Sequence, residues 1–285
     1  MLITGGGAGI GAEVARLLHA RGANLVLTDL DEAALAAMVA ELGGDERVLT
    51  VTADVRDLPA MQAAADAAVK RFGGIDVVMA NAGIISHGSV LQVDPEAVRR
   101  LIDINVLGVY HTVRAALPSV IDRRGYVLIV SSLAAYAAAP GLAAYNASKA
   151  AVELFANALR LEVAHLGVDV GSAHMSWIET AMVQDSKADL STFAEMLSKL
   201  PYPFNHTTSA HKCARAFVKG IDKRKRRINC PRWVAAARWL KPVLSTRVGE
   251  APVRRFVPDL LPRMDAEVAA LGRSTSAHSE ALEKR

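Results

Sequence analysis

Residues 4–11 read Thr-Gly-Gly-Gly-Ala-Gly-Ile-Gly, and they separate a short apolar run, residues 1–3, from an Ala-rich stretch that begins near residue 9. The apolar run predicts a buried strand, and the Ala-rich stretch predicts a helix. Glycines at such a junction let the chain turn tightly, and the helix N-terminus that follows stabilises a negative charge. The stretch therefore predicts a strand–turn–helix unit that binds a pyrophosphate.

The same alternation of strands and helices continues along the chain. Further β-branched apolar runs lie near residues 24–28, 48–52, 76–80, 126–131, 168–173 and 227–230. Helix-like segments lie at about 9–21, 31–42, 59–71, 94–121, 145–165 and 208–222. This spacing predicts a doubly wound α/β fold, in which helices cover both faces of a parallel sheet.

Composition limits the class of protein. The chain has 285 residues, of which 52% are hydrophobic and 22% are charged, so we expect an ordered globular protein. The chain has only two cysteines, which exclude a disulfide framework, and their spacing does not predict a metal site. We therefore expect a reducing, cytoplasmic environment. The N-terminus does not have the pattern of a signal peptide. Residues 125–148 carry no charge, but polar residues, proline and glycine interrupt them, which predicts a strand, a loop and a helix start rather than a membrane span.

Asp29 ends the second predicted strand, 18 residues after Gly11. A carboxylate at this point accepts hydrogen bonds from the adenosine ribose of a dinucleotide and repels the 2′-phosphate of NADP. Leu30 follows it, where a basic residue would favour NADP. The sequence therefore predicts NAD, with NADP as the alternative. The competing interpretation of Asp29 is a solvated loop residue beside Asp31 and Glu32.

Tyr145 and Lys149 are four residues apart and share one face of a predicted helix. A lysine cation near a phenol favours the phenolate and lowers the pKa of the tyrosine, as a general acid/base for alcohol–carbonyl interconversion requires. Ser132 follows a buried strand 13 residues before Tyr145, and the carboxyl ends of such strands line the ligand crevice. A Tyr/Ser pair can stabilise charge on a substrate oxygen.

At these positions the chain resembles the short-chain dehydrogenase/reductase family. The matching pieces, which cover about residues 1–230 in the family's order and spacing, are Thr4–Gly11, Asp54-Val55, Asn81-Ala82-Gly83, Asn105, Ser132 and Tyr145 with Lys149. The resemblance implies a seven-stranded, Rossmann-like parallel sheet in one catalytic domain, residues 1–230. It also implies a nicotinamide cofactor and a homodimer or homotetramer formed through the helices at 94–121 and 145–165.

The resemblance further implies a role for each residue. Tyr145 would be the acid/base, Lys149 would bind the nicotinamide ribose and lower the pKa of Tyr145, and Ser132 would hydrogen-bond the substrate oxygen. Asn105 would hold a water of the proton relay, and Asn81 would brace the central strands. Asp54 and Val55 would meet the adenine. The cofactor-binding set is Thr4, Gly5, Gly7, Ala8, Gly9, Ile10, Gly11, Asp29, Leu30, Asp54, Val55, Asn81, Ala82, Gly83, Tyr145, Lys149, Ile178 and Thr180.

The sequence departs from the family after the sixth strand, where the family usually has Pro-Gly-x-x-x-Thr. Met175 and Ser176 stand in place of Pro-Gly, while Thr180 fits the final position and Ile178 is expected to supply backbone contacts to the carboxamide. Residues 178–208 then form a lid rich in Met, Leu and aromatic side chains. These predict either an apolar substrate or simply the core of the lid. Trp177 is expected to line the pocket or to pack under the lid, and His87 to border the site or to lie in a surface loop.

Residues 231–285 form a C-terminal extension, and basic residues are concentrated in it and in the segment just before it. Residues 211–263 hold 15 Lys and Arg against 3 Asp and Glu, which gives +12, whereas the rest of the chain, with 18 against 26, has −8. Trp and Arg on one short helix are typical of a membrane interface, so residues 223–263 are one candidate surface for anionic lipid. Packing beside the pocket or a partner subunit is the alternative, and we do not expect nucleic-acid binding. The tail after Met264 is expected to fray.

Together these features predict an NAD-dependent dehydrogenase of a secondary alcohol or its ketone, with a lipophilic, small-molecule substrate. The alternatives are an NADPH-dependent carbonyl reductase and a non-catalytic protein that senses NAD or acts as a scaffold. Intact Ser132, Tyr145 and Lys149 argue against the scaffold, and Asp29 argues against NADPH.

Overall fold

The computed structural model describes residues 1–44 and 46–283. Its strands are β1 (Leu2–Thr4), β2 (Leu25–Asp29), β3 (Val48–Thr52), β4 (Val77–Ala80), β5 (Tyr126–Val130), β6 (Asp169–Met175), β7 (Ile178–Glu179), β8 (Thr208–Ser209) and β9 (Arg227–Cys230). Within the described residues, seven parallel strands form one sheet in the order β3-β2-β1-β4-β5-β6-β9. β7 and β8 pair as a separate small sheet in the lid. The prediction of a doubly wound, seven-stranded parallel sheet is confirmed.

Helices lie between the strands and continue beyond the last one. They are α1 (Gly9–His19), α2 (Glu32–Glu41), α3 (Leu58–Phe72), α4 (Pro95–Ile102), α5 (Gly108–Asp122), α6 (Ala143–Val163), α7 (Ala181–Asp189), α8 (Ser191–Lys199), α9 (Ala210–Asp222), α10 (Val234–Leu244), α11 (Arg247–Arg254), α12 (Val257–Leu271) and α13 (Ala277–Glu283). One apolar cluster joins the sheet to α3, α5 and α6, and another joins its opposite face to α1 and α9.

The strand order reverses between β1 and β4. The chain lays β2 and β3 on one side of β1, then crosses back to add β4 and the remaining strands on the other side. In such a sheet the ligand crevice opens at the carboxyl ends of the strands where the order reverses. The glycine-rich turn after β1 and the polar residues that follow β4 and β5 all lie at this edge.

The uncharged stretch 125–148 consists of β5, a 3₁₀ turn at Leu133–Ala135 and the first turns of α6. Every residue of β5 is buried, as expected for a central strand that is covered on both faces. The predicted strand, loop and helix start are confirmed. Among the helices of residues 1–44 and 46–283, none combines the length and the apolarity needed to cross a bilayer.

The segment predicted as one helix over 94–121 is interrupted. A π-helical turn, Asp103–Leu107, separates α4 from α5. Such turns insert one extra residue and redirect a side chain, often at functional sites. Here the turn directs Asn105 into the protein interior, where it is fully buried.

The extension packs against the lid. Phe193 and Met196 of α8 form an apolar cluster with Leu260 and Met264 of α12. The prediction of a frayed tail after Met264 is wrong, because α12 runs on to Leu271 and α13 follows it. The last two residues of the predicted extension, 284–285, lie outside the described residues.

Candidate active site

The glycine-rich turn has the geometry of a phosphate cradle. Gly5 and Gly9 have positive φ angles of 63° and 56°, which glycine adopts without strain. A Cβ atom on Gly11 would lie 2.1 Å from the Gly5 carbonyl oxygen, so a side chain cannot fit there. Ala8 is the N-cap of α1 and offers no side-chain acceptor to the first backbone N–H groups. These groups can therefore bind a pyrophosphate at the positive end of the helix dipole.

Asn81 holds this turn against the centre of the sheet. Its Nδ2 donates to the carbonyl oxygens of Thr4 at 2.9 Å and Gly5 at 3.2 Å. The Thr4 hydroxyl oxygen in turn accepts from the backbone N–H groups of Asn81 at 3.0 Å and Ala82 at 3.1 Å. The contacts join β1 to β4 where the strand order reverses. The bracing that the resemblance implied for Asn81 has these bonds as its physical basis.

Asp29 faces the turn from the end of β2. Its Oδ2 accepts from the Gly7 N–H at 3.0 Å, and its Oδ1 accepts from the Asp31 N–H at 3.2 Å. Each carboxylate oxygen has capacity for a further hydrogen bond, and Asp29 and Leu30 line the cavity. Asp31 has a different task, because its side chain caps α2. Asp29 therefore differs from Asp31 in that its side chain lines the ligand cavity.

The end of the cleft where adenine binding was predicted carries a residue that sequence reasoning missed. Asp54 and Val55 line the cavity, and Arg56 donates to the Asp54 carboxylate from Nε at 2.8 Å and from Nη2 at 2.6 Å. This two-bond ion pair fixes the Asp54 side chain. The missed residue is Arg56, and nothing in the sequence distinguishes it from other surface cations.

Ser132, Tyr145 and Lys149 meet at the other end of the same cavity. The Ser132 Oγ accepts from the Ala134 N–H at 3.1 Å and shares a hydrogen bond with the Tyr145 hydroxyl. The Lys149 Nζ donates to the Val130 carbonyl oxygen at 3.2 Å and lies 5.6 Å from the centre of the Tyr145 ring. The three side chains that were predicted from spacing therefore share one site.

The pKa values of the pair differ from the sequence expectation. Burial raises the pKa of Tyr145, and the hydrogen bond from Ser132 opposes that rise. Burial also lowers the pKa of Lys149 to about 8. Lys149 was expected to lower the pKa of Tyr145. In the structure burial is the larger of the two effects on Tyr145, so its pKa is raised rather than lowered.

Asn105 is bonded through its whole side chain. Its Oδ1 accepts from the Ile84 N–H at 2.8 Å, and its Nδ2 donates to the Ile84 carbonyl oxygen at 2.9 Å and to the Ser148 Oγ at 3.1 Å. Both N–H donors are thereby used. The side chain ties the π-helical turn to the loop after β4 and to α6. Its predicted role in a water relay remains a prediction.

A polar network behind Ser132 was not expected from the sequence. The His174 Nδ1 lies 3.3 Å from the Ser132 carbonyl oxygen, and its Nε2 lies 3.0 Å from the Tyr136 hydroxyl. The Tyr136 hydroxyl also donates to Glu153, which pairs with Arg227 at 3.2 Å. Burial lowers the pKa of His174 to about 4. Residues from four separate elements meet here, so no local pattern could have revealed the network.

Met175 and Ser176, which replace Pro-Gly, line the cleft. Ser176 donates its N–H to the Cys230 carbonyl oxygen at 3.0 Å, which continues the pairing of β6 with β9. Its Oγ is buried without a protein partner and belongs to a residue that lines the cavity. Ile178 and Thr180 line the cavity as well, and a Cβ atom on Gly9 would lie 3.5 Å from the Thr180 Cγ2. The predicted cofactor residues on both sides of the cleft therefore face each other.

The lid residues divide between two tasks. Trp177, Met182, Leu200 and Phe204 line the cavity, and the Trp177 Nε1 donates to the Phe204 carbonyl oxygen at 3.0 Å. Trp177 also packs edge-on against Phe193, which belongs to the lid core with Met196 and Leu197. Both interpretations of Trp177 thus apply.

His87 does not have either of its predicted places. It is buried, with its Nε2 2.9 Å from the Ser186 Oγ and its ring 4.8 Å from that of Phe193, and it is not among the cavity residues. His87 does lie in a loop, but the expectations of a surface position and of a border of the site are wrong, because the lid and the C-terminal segment close over it.

The donor set fits a dinucleotide. The cavity, about 380 Å³, runs from Asp29 past the glycine turn to Tyr145, and its size is in the range of small-molecule sites. The cavity is lined by the glycine turn, by the Asp29 carboxylate and by two residues with buried hydroxyls that have no protein partner, Thr28 and Ser176. In residues 1–44 and 46–283, no three His, Cys, Asp or Glu side chains converge as a metal site.

This fold and this arrangement of Ser, Tyr and Lys define a class of oxidoreductases. A family model described as short chain dehydrogenase matches residues 1–191, and the chain belongs to that family.

Two curated relatives and one solved structure are among the similar proteins. The putative oxidoreductase SadH of Mycobacterium tuberculosis is 36% identical over 239 residues, which cover 80% of this chain and 84% of the relative. Trans-4-hydroxycyclohexanecarboxylate dehydrogenase of Sinomonas cyclohexanicum is 34% identical over 193 residues, covering 65% and 74%. A short-chain dehydrogenase/reductase of Burkholderia phymatum in complex with NAD has a TM-score of 0.73 at 25% identity, covering 89% of this chain and 94% of that one.

Proposed function

We propose that this oxidoreductase uses NAD to interconvert a lipophilic secondary alcohol and its ketone. The observation that carries the proposal is one continuous cavity with Asp29 at one end and the Ser132, Tyr145 and Lys149 side chains at the other. A dinucleotide that spans this distance brings its nicotinamide to the Tyr145 end.

A bound nicotinamide cofactor supplies or accepts the hydride, and the chain's own residues handle the proton. In the oxidative direction Tyr145 Oη takes the hydroxyl proton of the substrate, and in reduction it returns a proton to the carbonyl oxygen. Ser132 accepts from the Ala134 N–H, so its own proton remains available for Tyr145 or for the substrate oxygen. Lys149 adds positive charge beside Tyr145, which stabilises the phenolate.

Apolar side chains around this end support a lipophilic substrate. Leu133, Leu142, Trp177, Leu200 and Phe204 line the cavity near the catalytic side chains. The similarity to a dehydrogenase named for a hydroxylated cyclohexane acid makes cyclic secondary alcohols the first class to screen.

Asp29 supports NAD over NADP. The test is a fluorescence titration of the purified protein with NADH and, in parallel, with NADPH. We expect tighter NADH binding, because the carboxylate repels a 2′-phosphate. Tighter NADPH binding would overturn this choice and favour ketone reduction. Binding of neither would favour a non-catalytic scaffold.

We also propose that the protein forms an oligomer through α5 and α6. Leu154 and Leu161 of α6 are 69% and 80% exposed, and Tyr110 of α5 is 42% exposed. Such an apolar face is typical of a buried subunit interface. Light scattering of the wild type and of Leu161→Glu tests this, and an unchanged mass would contradict it.

The basic surface on α10 and α11 is proposed as a contact for an anionic membrane. Trp239, Leu240, Val243 and Val248 are exposed there, at 75%, 49%, 53% and 81%. The Arg238 guanidinium stacks on Trp239 at 4.7 Å, and a groove on α11 is lined by Arg247, Ala251, Arg254 and Arg255. Apolar side chains that insert and cations that meet anionic headgroups are the two components of interfacial binding.

Sedimentation with phosphatidylglycerol/phosphatidylcholine vesicles tests this contact at low and high salt. We expect binding at low salt that weakens at high salt, and that is reduced in Trp239→Ala. Leu91→Ala, which truncates a 98% exposed leucine elsewhere, is the matched control. Protein that stays in the supernatant with anionic vesicles would refute the contact.

A further inference from the structure

Residues 272–283, called here the C-terminal strap, follow α12 and end in α13. Gly272 has a positive φ of 62° and ends α12 with a left-handed turn. Ser274 and Thr275 are only 7% and 3% exposed, and the Ser274 carbonyl oxygen accepts from the His87 N–H at 2.7 Å. The first part of the strap is therefore anchored in the protein, although its composition is that of a loose tail.

One ion pair ties the strap to the lid. Arg273 donates to Asp189 at the end of α7 through two bonds, from Nη1 to Oδ2 at 2.7 Å and from Nη2 to Oδ1 at 2.8 Å. The two side chains are only 19% and 23% exposed. A bidentate, partly buried pair of this kind is stronger and more directional than a surface salt bridge. The lid and the strap are thus connected.

Two further ion pairs hold the far end of the strap to the body of the protein. Arg100 of α4 donates to both Thr275 and Glu280, and Arg56 donates to Glu283 at 3.0 Å. Arg56 is the residue that also fixes Asp54. The end of α13 is therefore attached at the adenine end of the cleft.

The side chains between these attachments face the cofactor cavity. Ser276, His278, Ser279 and Leu282 line it together with Asp29, Leu30 and Val55. The His278 Nε2 lies 4.0 Å from the Asp31 carboxylate. Asp29 and Leu30 still border open space, so the strap covers the adenosine end of the cavity without filling it.

We propose that the C-terminal strap is the outer wall of the dinucleotide site and retains the cofactor by closing over its adenosine half. The inference rests on the proposed function, since it takes a dinucleotide as the ligand. Cofactor exchange then requires the Glu280 and Glu283 attachments to open. Because Arg273 joins the strap to α7, opening at the adenosine end also loosens the substrate lid.

The test measures NADH binding and release by fluorescence, independently of turnover. One variant ends the chain after Ser276, and a second, Glu280→Gln/Glu283→Gln, keeps the full chain but removes both carboxylates. We expect the NADH dissociation rate to rise about tenfold in the truncated protein and less in the double variant, with Kd rising in step. Glu96→Gln on α4 removes an exposed ion pair and is the matched control.

Each outcome decides the proposal. Unchanged NADH release from the double variant, or tighter NADH binding after truncation, would overturn retention, and the latter would make the strap a plug. If neither the full chain nor the truncated chain binds NADH or NADPH, the proposed function fails and the strap inference fails with it. If the strap variants release NADH faster but no alcohol is oxidised, the strap inference holds and only the proposed activity is in error.

Discussion

The Lys149 ammonium donates to the Val130 carbonyl oxygen at 3.2 Å, and it is buried at the end of the central strand β5. The ammonium also lies 5.6 Å from the centre of the Tyr145 ring. The Lys149 side chain is held away from water, and this burial lowers its pKa to about 8. The buried charge therefore lowers folding stability.

Lys149→Met is therefore expected to stabilise the fold while abolishing activity. The folded pKa of about 8 lies below the ordinary lysine pKa of 10.5, so at pH 7 the buried charge costs up to about 3 kcal/mol relative to a neutral side chain. Wild-type stability should rise between pH 8 and 10.5, as the folded protein loses the proton that the unfolded chain keeps. Urea unfolding at pH 7 and 9.5 measures this, with exposed Lys70→Met as control. A variant less stable than the wild type at pH 7 would contradict the expectation.

Tyr145→Phe should lower kcat at least about 1,000-fold and leave NADH binding within about twofold, since only the proton-transferring hydroxyl is lost. Ser132→Ala should lower kcat by about 100-fold. Because the pKa of Tyr145 is raised, alcohol oxidation by the wild type should increase with pH above neutrality. Steady-state rates and NADH titrations measure both effects, and turnover retained by Tyr145→Phe would refute the assignment.

Acid should destabilise the protein through its buried histidines. Burial lowers the pKa of His174 and of His87 to about 4. Between pH 6.5 and 4 the unfolded chain therefore binds more protons than the folded protein, and the free energy of unfolding falls as the pH drops through that window. His174→Gln should reduce the slope by up to about 1.4 kcal/mol per pH unit, the value for one proton. Denaturant unfolding from pH 7 to 4 measures the slope. Exposed His206→Gln should not change it, and equal slopes for all three proteins would count against this account.

Asp29→Asn should reduce the preference for NADH over NADPH by about tenfold, the effect of about 1.4 kcal/mol. The amide oxygen can still accept from the Gly7 N–H, so the turn should keep its shape, while the negative charge that repels a 2′-phosphate is lost. The ratio of the two dissociation constants is the measurement. A ratio equal to that of the wild type would show that Asp29 does not select the cofactor.

Local sequence predicted most of the scaffold because each signal was short-range. The glycines of residues 4–11, the apolar β5 run and the Tyr145–Lys149 spacing each depend on residues close together in the chain. The break in the helix over 94–121 was missed, since a π-helical turn has the composition of an α-helix and is stabilised by the contacts of Asn105 with Ile84 and Ser148.

The sequence by itself determined the doubly wound sheet, the glycine-rich turn and the grouping of Ser132, Tyr145 and Lys149, because periodicity and fixed spacing encode them. Only the tertiary structure decided the direction of the Tyr145 pKa shift, the network of His174 behind Ser132 and the place of the C-terminal strap. Burial depends on what packs around a group from distant parts of the chain. The strap in particular is held by Arg56, Arg100 and Asp189, which lie 84 to 227 residues from their partners.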